Sequence, residues 1–149
     1  MARQFTEFAI EADHFVKDLA VDLGHPDDPD KSRRILKAVL HTIRDRISIQ
    51  ESFQLMAQLP MLLKGLYVEN WKYMERPLNY RSGQSLYEAL KSSEHLVEPD
   101  DFPSQEYAIS AVNTVLGKLM HYVSTGEMND VLSQLPAEVR ALINLDTDN

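Results

Sequence analysis

Apolar residues recur along this chain at the three-and-four spacing of one helical face. Phe5, Phe8, Ala9, Ala12, Phe15, Val16, Leu19, Ala20 and Leu23 form the first such stripe and predict a helix from about Phe5 to Leu23. Gly24 follows as a left-handed C-terminal cap, and Pro26 prevents continuation. Asp28-Pro29 opens a second helix that runs to about Arg46, because Asp accepts from free amides and Pro suits the first helical position. Starting from Arg33 and turning about 100° per residue, Ile35, Leu36, Val39, Leu40, Ile43 and Ile47 fill a stripe from roughly 200° to 340°. Arg33, Arg34, Lys37, His41 and Arg44 fall between roughly 0° and 100°, so the opposite face reads as basic.

Ser48 caps a third helix. Its hydroxyl accepts from the Glu51 amide, and the Glu51 carboxylate is predicted to reach back to the Ser48 amide as a capping box. Ser124 and Glu127 repeat the arrangement, with Val123 and Met128 at the spacing of a hydrophobic staple. Pro60 and Pro136 each end a capped helix and start another. The fourth helix carries Leu62, Leu63, Leu66 and Tyr67, and the eighth carries Val139, Leu142 and Ile143. Ser85 and Glu88 offer a further capping box, opening a fifth helix with Leu86, Tyr87 and Leu90. A sixth buries Ala108, Ala111, Val112, Val115, Leu116, Leu119 and Val123 on one face.

The two capped helices share more than their caps. Ser48 and Ser124, Glu51 and Glu127, Pro60 and Pro136 all stand 76 residues apart, and Gln-Leu-Pro ends both copies. A repeat of this size speaks for architecture before function. Pro99-Asp100-Asp101 echoes Pro26-Asp27-Asp28 at an offset of 73, so the second copy carries about three extra residues near Phe102-Pro103-Ser104. No alternating strand pattern of useful length appears. The predicted fold is therefore all-α: a bundle of about eight helices built from two related four-helix units. Residues 1–149 read as one domain, with a first pseudo-repeat at about 5–71, a linker at 72–82 and a second pseudo-repeat at about 83–145. The linker region, from Trp71 through Tyr73 and Tyr80, is aromatic and charged, which predicts packing across a surface rather than a loose tether. The end, Asp146 to Asn149, is expected to fray.

Composition narrows the function classes. Hydrophobic residues make up 44% of the 149, enough to build a core. There is no cysteine, which removes disulfides, thiolate nucleophiles and Cys-based zinc sites and fits a cytoplasmic protein. No apolar run approaches the roughly 20 residues that span a bilayer, and the first residues lack a signal-peptide core. The net charge of −8 disfavours non-specific binding to nucleic acid or anionic lipid.

One combination is specific. Ala38-Val39-Leu40-His41-Thr42-Ile43-Arg44-Asp45-Arg46-Ile47 is followed by Gln58-Leu59-Pro60, by Gly65-Leu66-Tyr67 and by Trp71. This run resembles the bacterial family catalogued as domain of unknown function 2267, over about Phe15 to Leu142. The resemblance implies an all-helical fold and carries no assigned reaction or catalytic residue. The chain departs from the family pattern at Asn70, where Gly often precedes the Trp, and in its second half, where Met120-His121-Tyr122 replaces the Arg-Asp-Arg.

The candidate chemistry is sparse. There is no phosphate-binding Gly-rich loop, nucleophile elbow or His-Glu-x-x-His, and no carboxylate pair stands out on an apolar face. Glu11-Ala12-Asp13-His14 matches the Glu-x-x-His of di-iron bundles, but a site of that kind needs two such motifs. No catalytic residue, metal ligand or cofactor is therefore assigned. Arg46 falls inside the apolar stripe and is expected to pair with a carboxylate such as Glu51 and to satisfy helix-end carbonyls. Asp45 points outward. Ser48, Glu51, Pro60, Trp71, Ser124, Glu127 and Pro136 read as structural. Arg33, Arg34, Lys37 and Arg44 are the partner-binding candidates. The leading reading is a non-enzymatic cytoplasmic protein-binding or regulatory module whose partner is another protein or a second copy of the chain. The alternative is a small-ligand carrier or enzyme with a pocket between the two units. Nucleic-acid binding through the basic second helix ranks below both, and no membrane partner is expected.

Overall fold

The computed structural model describes residues 2–72, 83–92 and 97–145. Tyr73, Tyr80 and most of the predicted linker lie outside the described residues, as do the Ser85 side chain and the terminal Asp146 to Asn149. Eight helices fill the described residues, with no strand among them: α1 (Ala2–Leu23), α2 (Pro29–Arg44), α3 (Ile49–Ala57), α4 (Met61–Val68), α5 (Gly83–Lys91), α6 (Gln105–Leu119), α7 (Thr125–Ser133) and α8 (Ala137–Arg140). None is long and apolar enough to cross a membrane.

The helix ends follow from local chemistry. Gly24 adopts φ +92°, and the amides of Gly24 and His25 donate to the carbonyls of Val21 and Ala20. That geometry closes the end of α1 and needs a residue without a Cβ penalty. Asp28 Oδ1 then accepts from the Lys31 amide at 3.1 Å, and Pro29 is the first residue of α2. Ser104 does the same for α6 through the Tyr107 amide, 76 residues after Asp28. Ser48 and Ser124 cap α3 and α7, each accepting from the amide three residues on at 3.1 Å. Pro60 and Pro136 lie at the N-caps of α4 and α8 and make no side-chain cap bond there.

One apolar cluster runs from Phe15 to Val139 and takes residues from every helix. Leu19, Ile35, Val39, Tyr67, Leu90 and Val115 are fully covered within it. Burying each large apolar side chain contributes about 1.5–3 kcal/mol. Because helices this short are marginal alone, that shared packing holds them in place. Contacts between the two halves of the sequence are extensive: α3 packs on α7, α1 on α6, and α2 on both α5 and α6.

Candidate functional site

The cations of α2 are largely engaged by the fold. Arg34 forms a two-pronged bond to Asp101, with Nε to Oδ2 at 2.9 Å and Nη2 to Oδ1 at 3.1 Å. Asp101 is buried and also accepts from the Glu98 amide, so this pair ties α2 to the loop before α6. Lys37 pairs with Glu69 beyond the end of α4. Arg33 is exposed and makes no ion pair or hydrogen bond with another described residue.

Arg44 departs furthest from the helical wheel. It is buried, because the C-terminal end of α4 and the segment after it lie over that part of α2. Its Nη1 donates to the carbonyls of Tyr67 at 2.8 Å and Glu69 at 2.9 Å, its Nε donates to Asp45 Oδ1 at 2.9 Å, and its guanidinium lies 5.6 Å from the centre of the Trp71 ring. His41, one turn earlier and also buried, has Nε2 2.6 Å from the Leu66 carbonyl and so donates to it. These side chains satisfy the carbonyls that a helix end leaves without partners, and they place positive charge where the helix dipole favours it.

Asn70 makes the turn that brings Trp71 back. Its φ of +56° is left-handed, a conformation that Gly adopts without strain and that Asn tolerates better than most residues. Trp71 then packs edge-on against Tyr67 at 5.7 Å, and the Tyr67 hydroxyl bonds Ser52 Oγ at 2.7 Å. Arg44, Asp45, Tyr67 and Trp71 thus form a latch over the α2–α4 contact. Arg46 is half-buried and donates to the Thr42 carbonyl at 3.0 Å. Asp45 is turned to Arg44 rather than to solvent alone.

The joint between α3 and α7 was not visible in the sequence. The predicted return bond from Glu51 to the Ser48 amide does not form, because Gln134 Oε1 accepts that amide instead at 2.7 Å. Gln58 Oε1 accepts the Ser124 amide, also at 2.7 Å. Each helix is therefore capped twice, by its own serine and by a glutamine from the end of the other helix. Released from the capping box, Glu51 and Glu127 turn toward one another, and both are buried. Gln134 Nε2 donates to Glu51 Oε1 at 3.3 Å. One carboxylate oxygen from each of Glu51, Glu127 and the exposed Asp130 lies within 4.8 Å of the other two.

This crowding changes the chemistry of Glu127. Burial first, then hydrogen bonding to Glu51 and the negative charges of Glu51 and Asp130, push its carboxyl up to about 8. Two buried carboxyls this close resist ionising together, so the pair retains a proton at neutral pH. The signal that could have found it was the 76-residue offset. Glu51 and Glu127 stand 76 residues apart in matching Ser-x-x-Glu stretches, and the contact of α3 with α7 brings them together.

Two surface features remain. Ile49 and Phe53 on α3, and Met61, Leu62 and Val68 on α4, are exposed, and Phe53 is 60% exposed. A groove of about 810 Å³ runs between α1 and the end of α6, lined by Glu7, Glu11, His14, Asp18, His121 and Tyr122 among others. Glu11 and His14 therefore face a shared groove at the surface, not a bundle interior.

No curated protein matches the chain. A family model described as uncharacterized conserved protein (DUF2267) matches residues 12–142, which include the Arg44–Trp71 latch, both reciprocal caps and the carboxylate pair. The chain belongs to this family.

Proposed function

We propose that this protein is a non-enzymatic module that binds another protein through the exposed apolar side chains of α3 and α4. The observation that carries this reading is the outward placement of Ile49, Phe53, Met61, Leu62 and Val68 beside a core built from other residues of the same helices. Several large apolar groups left in water on two consecutive short helices cost free energy that a partner's surface would recover. The basic face of α2 supports this less well than the sequence alone implied, since Arg34, Lys37 and Arg44 already have partners within the chain. The same engagement, with the net charge of −8, weighs further against nucleic acid. We read the chain as one cytoplasmic domain of two related units whose α3 and α7 meet face to face.

The test is affinity capture with the wild-type chain beside a Phe53→Ser/Leu62→Ser variant. Both side chains are exposed, although the Phe53 ring lies 6.5 Å from that of Trp71, so the variant should fold with a melting temperature close to that of the wild type. The reading expects protein partners that the wild type captures and the variant loses. Identical partners on both baits would refute it. The groove between α1 and α6 supports the second reading, a small-ligand carrier. That reading gains if a small molecule co-purifies with both baits and a Glu11→Gln/Asp18→Asn variant loses it.

A further inference from the structure

We propose that Glu51, Glu127 and Asp130 bind a hard divalent cation at the joint between α3 and α7. Each residue offers a carboxylate oxygen, and the three oxygens lie within 4.8 Å of one another. Glu127 and Asp130 are three apart on α7 and so share a helical face, while Glu51 approaches from α3.

A cluster of acidic groups on a surface would carry no such inference. Here two of the three are buried, Glu51 at 9% exposed and Glu127 at 6%. Apart from the facing carboxyl of the other glutamate, their covered Oε2 atoms have no hydrogen-bond partner. No lysine, arginine or histidine among the described residues pairs with either. Gln134 Nε2 reaches only Glu51 Oε1, at 3.3 Å, and the nearby backbone donors are committed elsewhere: the Glu51 and Glu127 amides go to Ser48 and Ser124, and the two serine amides go to Gln134 and Gln58. An unpartnered buried acceptor carries an unrecovered desolvation cost. A proton shared between the two carboxyls relieves one charge and leaves lone pairs unused. A cation would use oxygens of all three residues together.

The donor set selects the ion. Oxygen ligands without nitrogen or sulfur fit magnesium, manganese or calcium rather than zinc or copper. Asp130 is exposed, which opens the site to solvent for entry and leaves room for water ligands. Because its ligands come from two helices, the ion would tie α3 to α7. This inference is independent of the apolar surface used for protein binding.

The experiment uses the full chain freed of metal with EDTA and then dialysed. It is titrated separately with MgCl2, MnCl2 and CaCl2 by calorimetry, with the melting temperature followed in parallel. The expected result is saturable binding of at least one of these ions at one per chain, with a raised melting temperature. Glu127→Gln and Asp130→Asn should each weaken that binding by about tenfold or more. Asp130 is exposed, so its variant should fold as the wild type does. No saturable binding of any of the three ions would overturn the proposal, and so would binding left intact in either variant.

Discussion

Gln134 closes the start of a helix that begins 86 residues earlier, its Oε1 accepting the Ser48 amide at 2.7 Å. Gln58 performs the same service for Ser124. Replacing either glutamine by alanine removes a cap that the helix cannot supply itself, because Glu51 and Glu127 are turned into the joint. Each variant should lose about 1 kcal/mol, read from the midpoint of urea unfolding. Gln134→Ala should lose the more of the two, since Gln134 also donates to Glu51 Oε1.

Arg44 should be the most costly cation to remove. Its loss strands the Tyr67 and Glu69 carbonyls and the Asp45 carboxylate, and it leaves Trp71 without its cation. Arg44→Ala is expected to cost about 3 kcal/mol or more. Arg44→Lys should rescue little, because an ammonium cannot reproduce the fork that reaches three oxygens. Arg33→Ala, at an exposed position, should stay within about 0.5 kcal/mol of the wild type. Urea midpoints for the three variants rank them directly.

The Asn70 turn makes a third prediction. At φ +56°, an alanine meets the left-handed penalty that asparagine tolerates better, so Asn70→Ala should lose about 1 kcal/mol. Asn70→Gly should lose less than the alanine variant. Thermal unfolding of the two side by side distinguishes a backbone requirement from a side-chain one.

Glu127 sets a pH dependence. Folded, its carboxyl releases a proton near 8; unfolded, it does so near its ordinary 4.5. Between those values the folded chain holds a proton that the unfolded chain has lost, so this group's contribution falls as pH rises through the window. The contribution is complete below the lower value and gone above the upper one. With EDTA present, Glu127→Gln should therefore narrow the stability difference between about pH 5 and about pH 8.5 relative to the wild type. An unchanged difference would show that Glu127 titrates normally.

Much of the helical layout was legible because helix ends are local. The caps at Asp28, Ser48 and Ser124, the Gly24 stop, the apolar stripes of α2 and α6 and the α1 stripe from Phe15 onward all depend on neighbours within a turn, whereas Phe5, predicted on the α1 stripe, is exposed. What escaped depends on residues far away in sequence. A wheel places Arg44 opposite the apolar stripe of α2, but it cannot know that the end of α4 and Trp71 cover that spot. The Ser-x-x-Glu spacing predicts a capping box, and the serine half formed in both copies. The glutamate half did not, because a distant glutamine outcompeted it for the serine amide. The Glu51–Glu127 pair followed from that exchange, and no local pattern encodes it. The left-handed turn at Asn70 was not predicted either; the sequence showed only that Asn stands where Gly is common.

The central claim is that Gln58 and Gln134, at the ends of α3 and α7, each close the start of the other's helix. Amide hydrogen exchange of Ser48 and Ser124, measured in Gln134→Ala and Gln58→Ala, tests it most directly. Gln134→Ala should speed exchange at Ser48 and leave Ser124 protected, and Gln58→Ala should do the reverse. If each substitution instead freed the serine of its own helix, or neither serine responded, the reciprocal capping described here would be contradicted.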